Sequence, residues 1–352
     1  MKFIADRNEL AQAVANAAQG VPGVLRADTA GVRVKAAGKK ITFSCGDADT
    51  VFTSVLPSGG SGRDGEAVLP GIFPAITRSL PDEEVTVDTT GGKAEVRCGK
   101  TSFVLPLLPA SPLQQRDITS IAFMDGHDFR TALRQVLPAV SKDNPNPALS
   151  GIRLELADRI FRLAATDGYM LAAADCPAEP SGPSGPGSGP VLLPGRAAER
   201  IARLPGDQTS VGWDSGRIQL TMDDTTVTCR QIDISTFPKG WDRVLAGRDW
   251  NAELDAASLL ASVRAAMLTA QTVSFAFGDE LTVSATGMAG MFSQVFPVKA
   301  SGDPVVLRLG AGYLSAVLAN TLRPKIAFTT AMAPVTFGDS GVRYMIQPRR
   351  DI

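Results

Sequence analysis

The side chains that could do chemistry in this sequence are few and widely separated. Asp47 and Asp49 stand two apart, the spacing that puts two carboxylates on one face of a strand. The run Gly46-Asp47-Ala48-Asp49 reads as a turn, however, and short carboxylates in turns accept hydrogen bonds from nearby backbone N–H groups. His127 is the only histidine, so imidazole acid–base catalysis and zinc ligation have almost nothing to draw on. Cys45, Cys98, Cys176 and Cys229 form no CxxC pair, and each falls in or beside an alternating run, so buried free thiols are expected. The run Ser58-Gly59-Gly60-Ser61-Gly62 lacks the lysine and hydroxyl pair of a phosphate-binding loop. Asp223-Asp224 and Asp82-Glu83-Glu84 sit at turn and junction positions where acidic groups are ordinarily solvated. No GxSxG, HExxH or cysteine–histidine pairing is present. The sequence therefore predicts no enzyme, no metal site and no cofactor.

Arginine on helices is a more informative signal. Arg130 and Arg134 lie four apart on one predicted helix, and Arg196, Arg200 and Arg203 follow spacings of four and three on another. Such spacings stack side chains on a shared face. Arg78 and Arg264 hold comparable places elsewhere, with Arg7 at the first helix start and Lys142 just after the helix that carries Arg130. A solvated helix face accounts for this pattern, and so does a set of basic helices presented to a phosphate backbone for weak, sequence-independent binding. The total charge does not decide between them: 35 Lys plus Arg against 36 Asp plus Glu can still hide a basic face.

The elements that must position these residues recur. Val68-Leu69-Pro70-Gly71 is followed by a helical run from Ile72 to Leu80, and Val191-Leu192-Leu193-Pro194-Gly195 by a run from Arg196 to Leu204. A looser copy starts at Val305 and continues as a helix from Ala311 to Thr321. Three further helices, Arg7 to Ala18, Gly126 to Val140 and Ala256 to Ala270, start roughly 120 to 130 residues apart, a domain-sized period. The passages ITFSCGDADTVFTSVL from Ile41, FRLAATDGYMLAAADC from Phe161 and LTVSATGMAGMFSQVF from Leu281 align as strand, turn and strand. Terminal hairpins close each third around Gly99-Lys100, Asp223-Asp224 and Asp339-Ser340-Gly341.

The 352 residues thus divide into three similar α+β domains at 1–119, 120–246 and 247–352, each with two helices covering the apolar side of antiparallel sheet. The tract from Pro177 to Pro190, rich in Pro, Ser and Gly, is expected to be an exposed loop. The third domain is shortened between Ala270 and Ser274. The opening Met1-Lys2-Phe3-Ile4-Ala5-Asp6 is unlike an export signal and no apolar run approaches membrane-spanning length, so a cytoplasmic protein without membrane attachment is expected.

In this frame several segments carry a family likeness: Met1-Lys2-Phe3, Val191 to Leu204, Thr166-Asp167-Gly168-Tyr169, Phe237-Pro238 to Arg243-Val244-Leu245, and Tyr344-Met345-Ile346-Gln347-Pro348-Arg349. In order and spacing, the chain resembles the bacterial sliding clamp, the beta subunit of DNA polymerase III, over essentially its whole length. The resemblance implies a homodimeric ring of two crescents joined head to tail, with helices lining a hole for double-stranded DNA and sheets outside. On this reading Arg7, Arg78, Arg130, Arg134, Lys142, Arg196, Arg200, Arg203 and Arg264 face the DNA, together with Arg26 in a DNA-facing loop.

The resemblance also implies a pocket for short linear peptides of DNA polymerase and clamp-loader subunits. It would be lined by Leu149, Thr166, Gly168, Tyr169, Met170, Leu171, Pro238, Val244, Met345, Ile346, Gln347, Pro348 and Arg349. Three positions depart from the family pattern: Met170 replaces a charged residue, while Gln347 and Arg349 replace methionines flanking the proline. Two duties stay open. One is the ordinary replicative clamp, and the other a specialised second copy serving an accessory polymerase, a mobile element or resistance to a pocket-blocking compound. Ring closure would join the first and third domains, with sheet edges at Lys100 to Val104 and Pro304 to Leu309 as contributors.

Overall fold

The structure, a computed structural model, describes residues 1–20, 31–56, 60–81, 83–109, 113, 117–181, 189–245, 250–298 and 300–350. Seven α-helices are present among them: α1 (Arg7–Ala18), α2 (Phe73–Ser79), α3 (Gly126–Val136), α4 (Gly195–Ile201), the one-turn α5 (Trp241–Val244), α6 (Ala256–Ala266) and α7 (Ala311–Ala319). Each third opens with a strand that runs into a helix, Lys2–Asp6 into α1 and Ala122–Asp125 into α3, with Ala252–Glu253 shortly before α6. Asp6 starts α1 by accepting the Asn8 and Glu9 N–H groups, two of the donors a helix start leaves unpaired. Three helices, α3, α4 and α6, stop three or four residues earlier than expected. Pro138, which has no N–H to continue the ladder, converts the end of α3 into a 3-10 turn at Leu137–Ala139. After Ile201 and after Ala266 the chain tightens into turns closed by Leu204 N–H to the Ile201 carbonyl and by Thr269 N–H to the Ala266 carbonyl.

The three aligned passages adopt one hairpin geometry. Ile41 pairs with Leu56, Phe161 with Cys176 and Leu281 with Phe296, so the second strands Thr50–Leu56, Met170–Pro177 and Gly290–Phe296 are counterparts. Asp47 is a turn residue as expected, accepting from the N–H groups of Asp49 and Thr50. The four cysteines are buried and unbridged, and burial pushes the Cys45 and Cys229 thiols up to about 11 and about 12. Residues 182–188 of the Pro/Ser/Gly tract lie outside the described residues; before them Glu179–Pro180 pairs with Ala122 and Phe123.

The sheets do not respect the boundaries between thirds, a feature absent from the expected arrangement. Thr50–Leu56 pairs antiparallel with Thr225–Arg230, fusing strands of the first and second thirds into a nine-stranded sheet. Met170–Pro177 pairs likewise with Val342–Ile346 in an eight-stranded sheet. Both pairings supply partners to backbone groups that an edge strand would leave open. A five-stranded sheet ends at Thr101–Pro106 and a four-stranded sheet ends at Gly290–Phe296 and Val305–Gly310.

The chain gathers into two compact units. One comprises Met1–His127, Glu179–Ser188 and Arg200–Gln231, and the other Asp128–Ala178, Gly189–Glu199 and Ile232–Ile352. In the first, Leu10, Val14 and Ala17 of α1 and Phe73 and Ile76 of α2 bury against Phe3, Phe43 and Leu69, with Phe3 edge-on to Phe43 at 6.2 Å. In the second, Leu259 and Val263 of α6 and Leu314 and Val317 of α7 are fully or almost fully buried, and Phe277 stacks on Phe328 at 4.9 Å.

Candidate functional site

The turn Thr166-Asp167-Gly168-Tyr169 is held by its own short side chains. The Asp167 carboxylate accepts the Tyr169 and Met170 N–H groups at 2.8 and 2.7 Å, and the Thr166 hydroxyl donates to the Met170 carbonyl at 2.7 Å. Gly168 has φ of 95°, a conformation a side chain would strain. The turn is then tied to two other segments. Tyr169 accepts the Gln347 N–H at 2.9 Å, and the other Asp167 oxygen accepts the Tyr313 hydroxyl of α7 at 2.5 Å. Burial and the adjacent Asp167 carboxylate push the Tyr313 phenol up to about 12, so it stays a neutral donor through the neutral range.

One apolar patch lies beside this turn. Leu171 sits directly across from Met345, and these two pack with Val244, Trp241, Leu245, Ala164 and Ala173. Gly240, in the left-handed region at φ of 68°, starts the single turn α5 that carries Trp241 and Val244 to the strands. Arg343 fixes the end of that turn by donating to the Leu245 carbonyl at 3.2 Å. Trp241 also reaches a neighbouring cluster of Ala148, Leu192 and Phe237.

A second concavity of about 480 Å³ is lined by Pro138, Met267, Gln271, Tyr313, Ala316 and Arg349, among others. Arg349 is anchored at its rim, its N–H donating to the Arg308 carbonyl and its guanidinium to the Thr272 hydroxyl at 3.2 Å. The Asp167–Tyr313 bond joins the two parts. Together they offer apolar walls with one cation, one phenol and one amide, the make-up of a site that anchors apolar side chains of an extended peptide.

The expected pocket residues divide by exposure. Tyr169, Gly168, Pro238 and Arg349 are exposed, and Val244, Met345 and Gln347 are half-buried. Leu149, Thr166, Met170, Leu171, Ile346 and Pro348 are buried. Among the basic residues, Arg78, Arg134, Lys142, Arg196, Arg203 and Arg264 are exposed on or beside their helices, and Arg130 and Arg200 are half-buried. Arg7 has a structural duty, donating to the Leu80 and Arg78 carbonyls at 3.1 and 3.0 Å and so closing the end of α2. Arg26 lies outside the described residues. No group of three metal-binding side chains exists among the described residues.

The family model for the DNA polymerase III beta subunit N-terminal domain matches residues 1–115, and that for its central domain matches residues 124–239. The chain belongs to the DNA polymerase III beta subunit family. It is 26% identical to the beta sliding clamp of Streptomyces coelicolor over 99% of each chain. It is 31% identical to the beta sliding clamp homolog GriR of Streptomyces muensis over 68% of this chain and 65% of that one. Its fold is that of the crystal structure of the DNA polymerase III subunit beta from Pseudomonas aeruginosa, with a TM-score of 0.88, 19% identity and full coverage of both chains.

In this beta subunit family member the sequence reading missed Trp241, Leu245, Met267, Gln271 and Tyr313. Tyr313 left a usable signal. Strand pairings make Pro70, Pro194 and Gly310 counterparts, so Tyr313 stands where Phe73 and Ala197 are core. A hydroxyl-bearing aromatic at a position apolar in both other copies marks a break in the repeat.

Proposed function

We propose that this chain is a non-catalytic, ring-forming sliding clamp. Two copies close head to tail around double-stranded DNA, contact its backbone without sequence preference, and hold DNA polymerase and clamp-loader subunits through peptides seated in the two-part site. The three domains, at 1–119, 120–246 and 247–352, each contribute a helix pair, and Arg78, Arg130, Arg134, Lys142, Arg196, Arg200, Arg203 and Arg264 face the duplex. The observation that carries this reading is the threefold return of one element set along a chain of this family. Membership alone supports a clamp. A further observation favours a specialised partner set: Gln347 and Arg349 stand where the family pattern has methionines, and Arg349 places a fixed cation at the rim of the second concavity. A topological tether is tested by loading the protein on nicked circular DNA and then linearising it. Retention on the circle and loss after cutting are expected; equal loss from both forms would sink the proposal.

A further inference from the structure

Two breaks in the repeat and one arginine meet at a single point of the second concavity. Gly310 stands where the other copies have Pro70 and Pro194, and Tyr313 where they have Phe73 and Ala197. Thr272 pairs with Gly310 across the sheet, and Arg349 is laid beside the same strand by its N–H bond to the Arg308 carbonyl at 2.8 Å. One guanidinium nitrogen, Nη1, donates to the Thr272 hydroxyl at 3.2 Å. The opposite edge, Nε with Nη2, flanks Gly310. A Cβ placed on Gly310 would lie 3.6 Å from each of these nitrogens and 3.0 Å from Cδ2 of the Tyr313 ring. The missing side chain therefore leaves a slot between a guanidinium edge and an aromatic edge.

The Nε–Nη2 edge offers two parallel N–H donors, the fork that matches both oxygens of a carboxylate. Its anchors at Arg308 and Thr272 orient it before any ligand arrives, so little side-chain freedom is lost on binding. Among the described residues that line the concavity, Arg349 alone carries a charge. Among the described residues no carboxylate pairs with it. Asp167, bonded to Tyr313, already accepts the Tyr169 and Met170 N–H groups as well. The other walls include Pro138, Met267 and Ala316, which suit an apolar side chain and which a phosphate backbone would leave uncovered.

Building on the proposed two-part peptide site, we infer that the slot between Arg349 and Tyr313 over Gly310 takes a carboxylate of the bound peptide, the Asp or Glu side chain of a residue flanking the apolar one seated in the second concavity. Arg349 is thus the residue that sets specificity. Apolar contacts admit many peptides with a large hydrophobic side chain, and the cation selects among them those with an acidic neighbour. A neutral neighbour leaves the two donors to water, and a basic one is repelled. The cation lies at the rim, beside the anchor, where the side chain of a flanking residue reaches it.

Fluorescence anisotropy on the full chain reads the preference with three labelled peptides, capped at both ends and otherwise uncharged, each carrying one Leu and one Phe. The residues on both sides of the Phe are Glu, Gln or Lys. At low salt the Glu peptide is expected to bind roughly five- to tenfold tighter than the Gln peptide, and the Lys peptide more weakly than either. That advantage should fall below about threefold near 500 mM salt, because the pair is exposed. Arg349→Met is expected to bring the Glu and Gln peptides to the same affinity. Gly310→Ala keeps the charge but sets a methyl group against the Nε–Nη2 edge, and is expected to reduce the ratio at least twofold or so. Equal binding of the Glu and Gln peptides to the wild type, or an undiminished preference in either variant, overturns the carboxylate slot and leaves the peptide site standing. Tighter binding of a Gln peptide with a free C-terminal carboxylate than of the capped Glu peptide overturns the assignment to a side chain. No binding by any of the peptides overturns the inference together with the peptide site.

Discussion

Val244 is half-buried in a patch whose other members come from three strands and from a one-turn helix and its end. That mixture explains why the residues of the site were only partly legible. Those in one continuous stretch, Thr166 to Leu171 and Met345 to Arg349, could be read from the sequence as units. Trp241 and Leu245 joined them only through the left-handed Gly240 and the Arg343 bond, neither of which leaves a spacing pattern. Val244→Asp tests the patch without emptying a core position. It is expected to weaken a fluorescent polymerase-derived peptide by roughly ten- to a hundredfold, the scale of placing a carboxylate where an apolar anchor must seat. Its thermal midpoint should stay close to wild type, and peptide affinity unchanged from wild type would remove Val244 from the site.

At the scale of elements, the strands were read well because alternation in half-buried sheets is a strong signal. Helix ends were not, because Pro138 and the turns after Ile201 and Ala266 decide them by backbone hydrogen bonding that side-chain periodicity does not report. After α6 the chain makes a direct turn at residues 267–271, whereas after α3 it makes two 3-10 turns within 137–150. The helix α4 offers the clearest test of a basic face. Arg196 and Arg203 are exposed, whereas Arg200 is half-buried and its charge opposes the rise of the Cys45 thiol, so the first two are the cleaner positions to change. Arg196→Ser with Arg203→Ser is expected to lower the slope of log affinity against log salt on a short duplex by roughly 1.8, at about 0.9 per phosphate contact. An unchanged slope would mark these side chains as an ordinary solvated face.

For the whole molecule, threefold repetition was legible because the hydrophobic passages and turns recur with little change. The sharing of sheets between thirds was not. Pairings between distant strands run through backbone groups common to every residue, so the sequence carries no mark of which edges meet. A fragment of residues 1–119 is accordingly expected to be far less soluble than the full chain, because Thr50–Leu56 would lose Thr225–Arg230 and present a bare edge. Comparison of the soluble fraction and of thioflavin binding would check this, and a soluble monomeric fragment would contradict it. The same pairing imposes an order on synthesis. Thr50–Leu56 is made roughly 175 residues before its partner, a wait of about 9 to 35 s at ordinary elongation rates. During that interval a β-rich nascent chain carries a ready template for pairing with its neighbours on the same messenger, so crowded ribosomes and slow translation, more than heat, should set the yield of native protein.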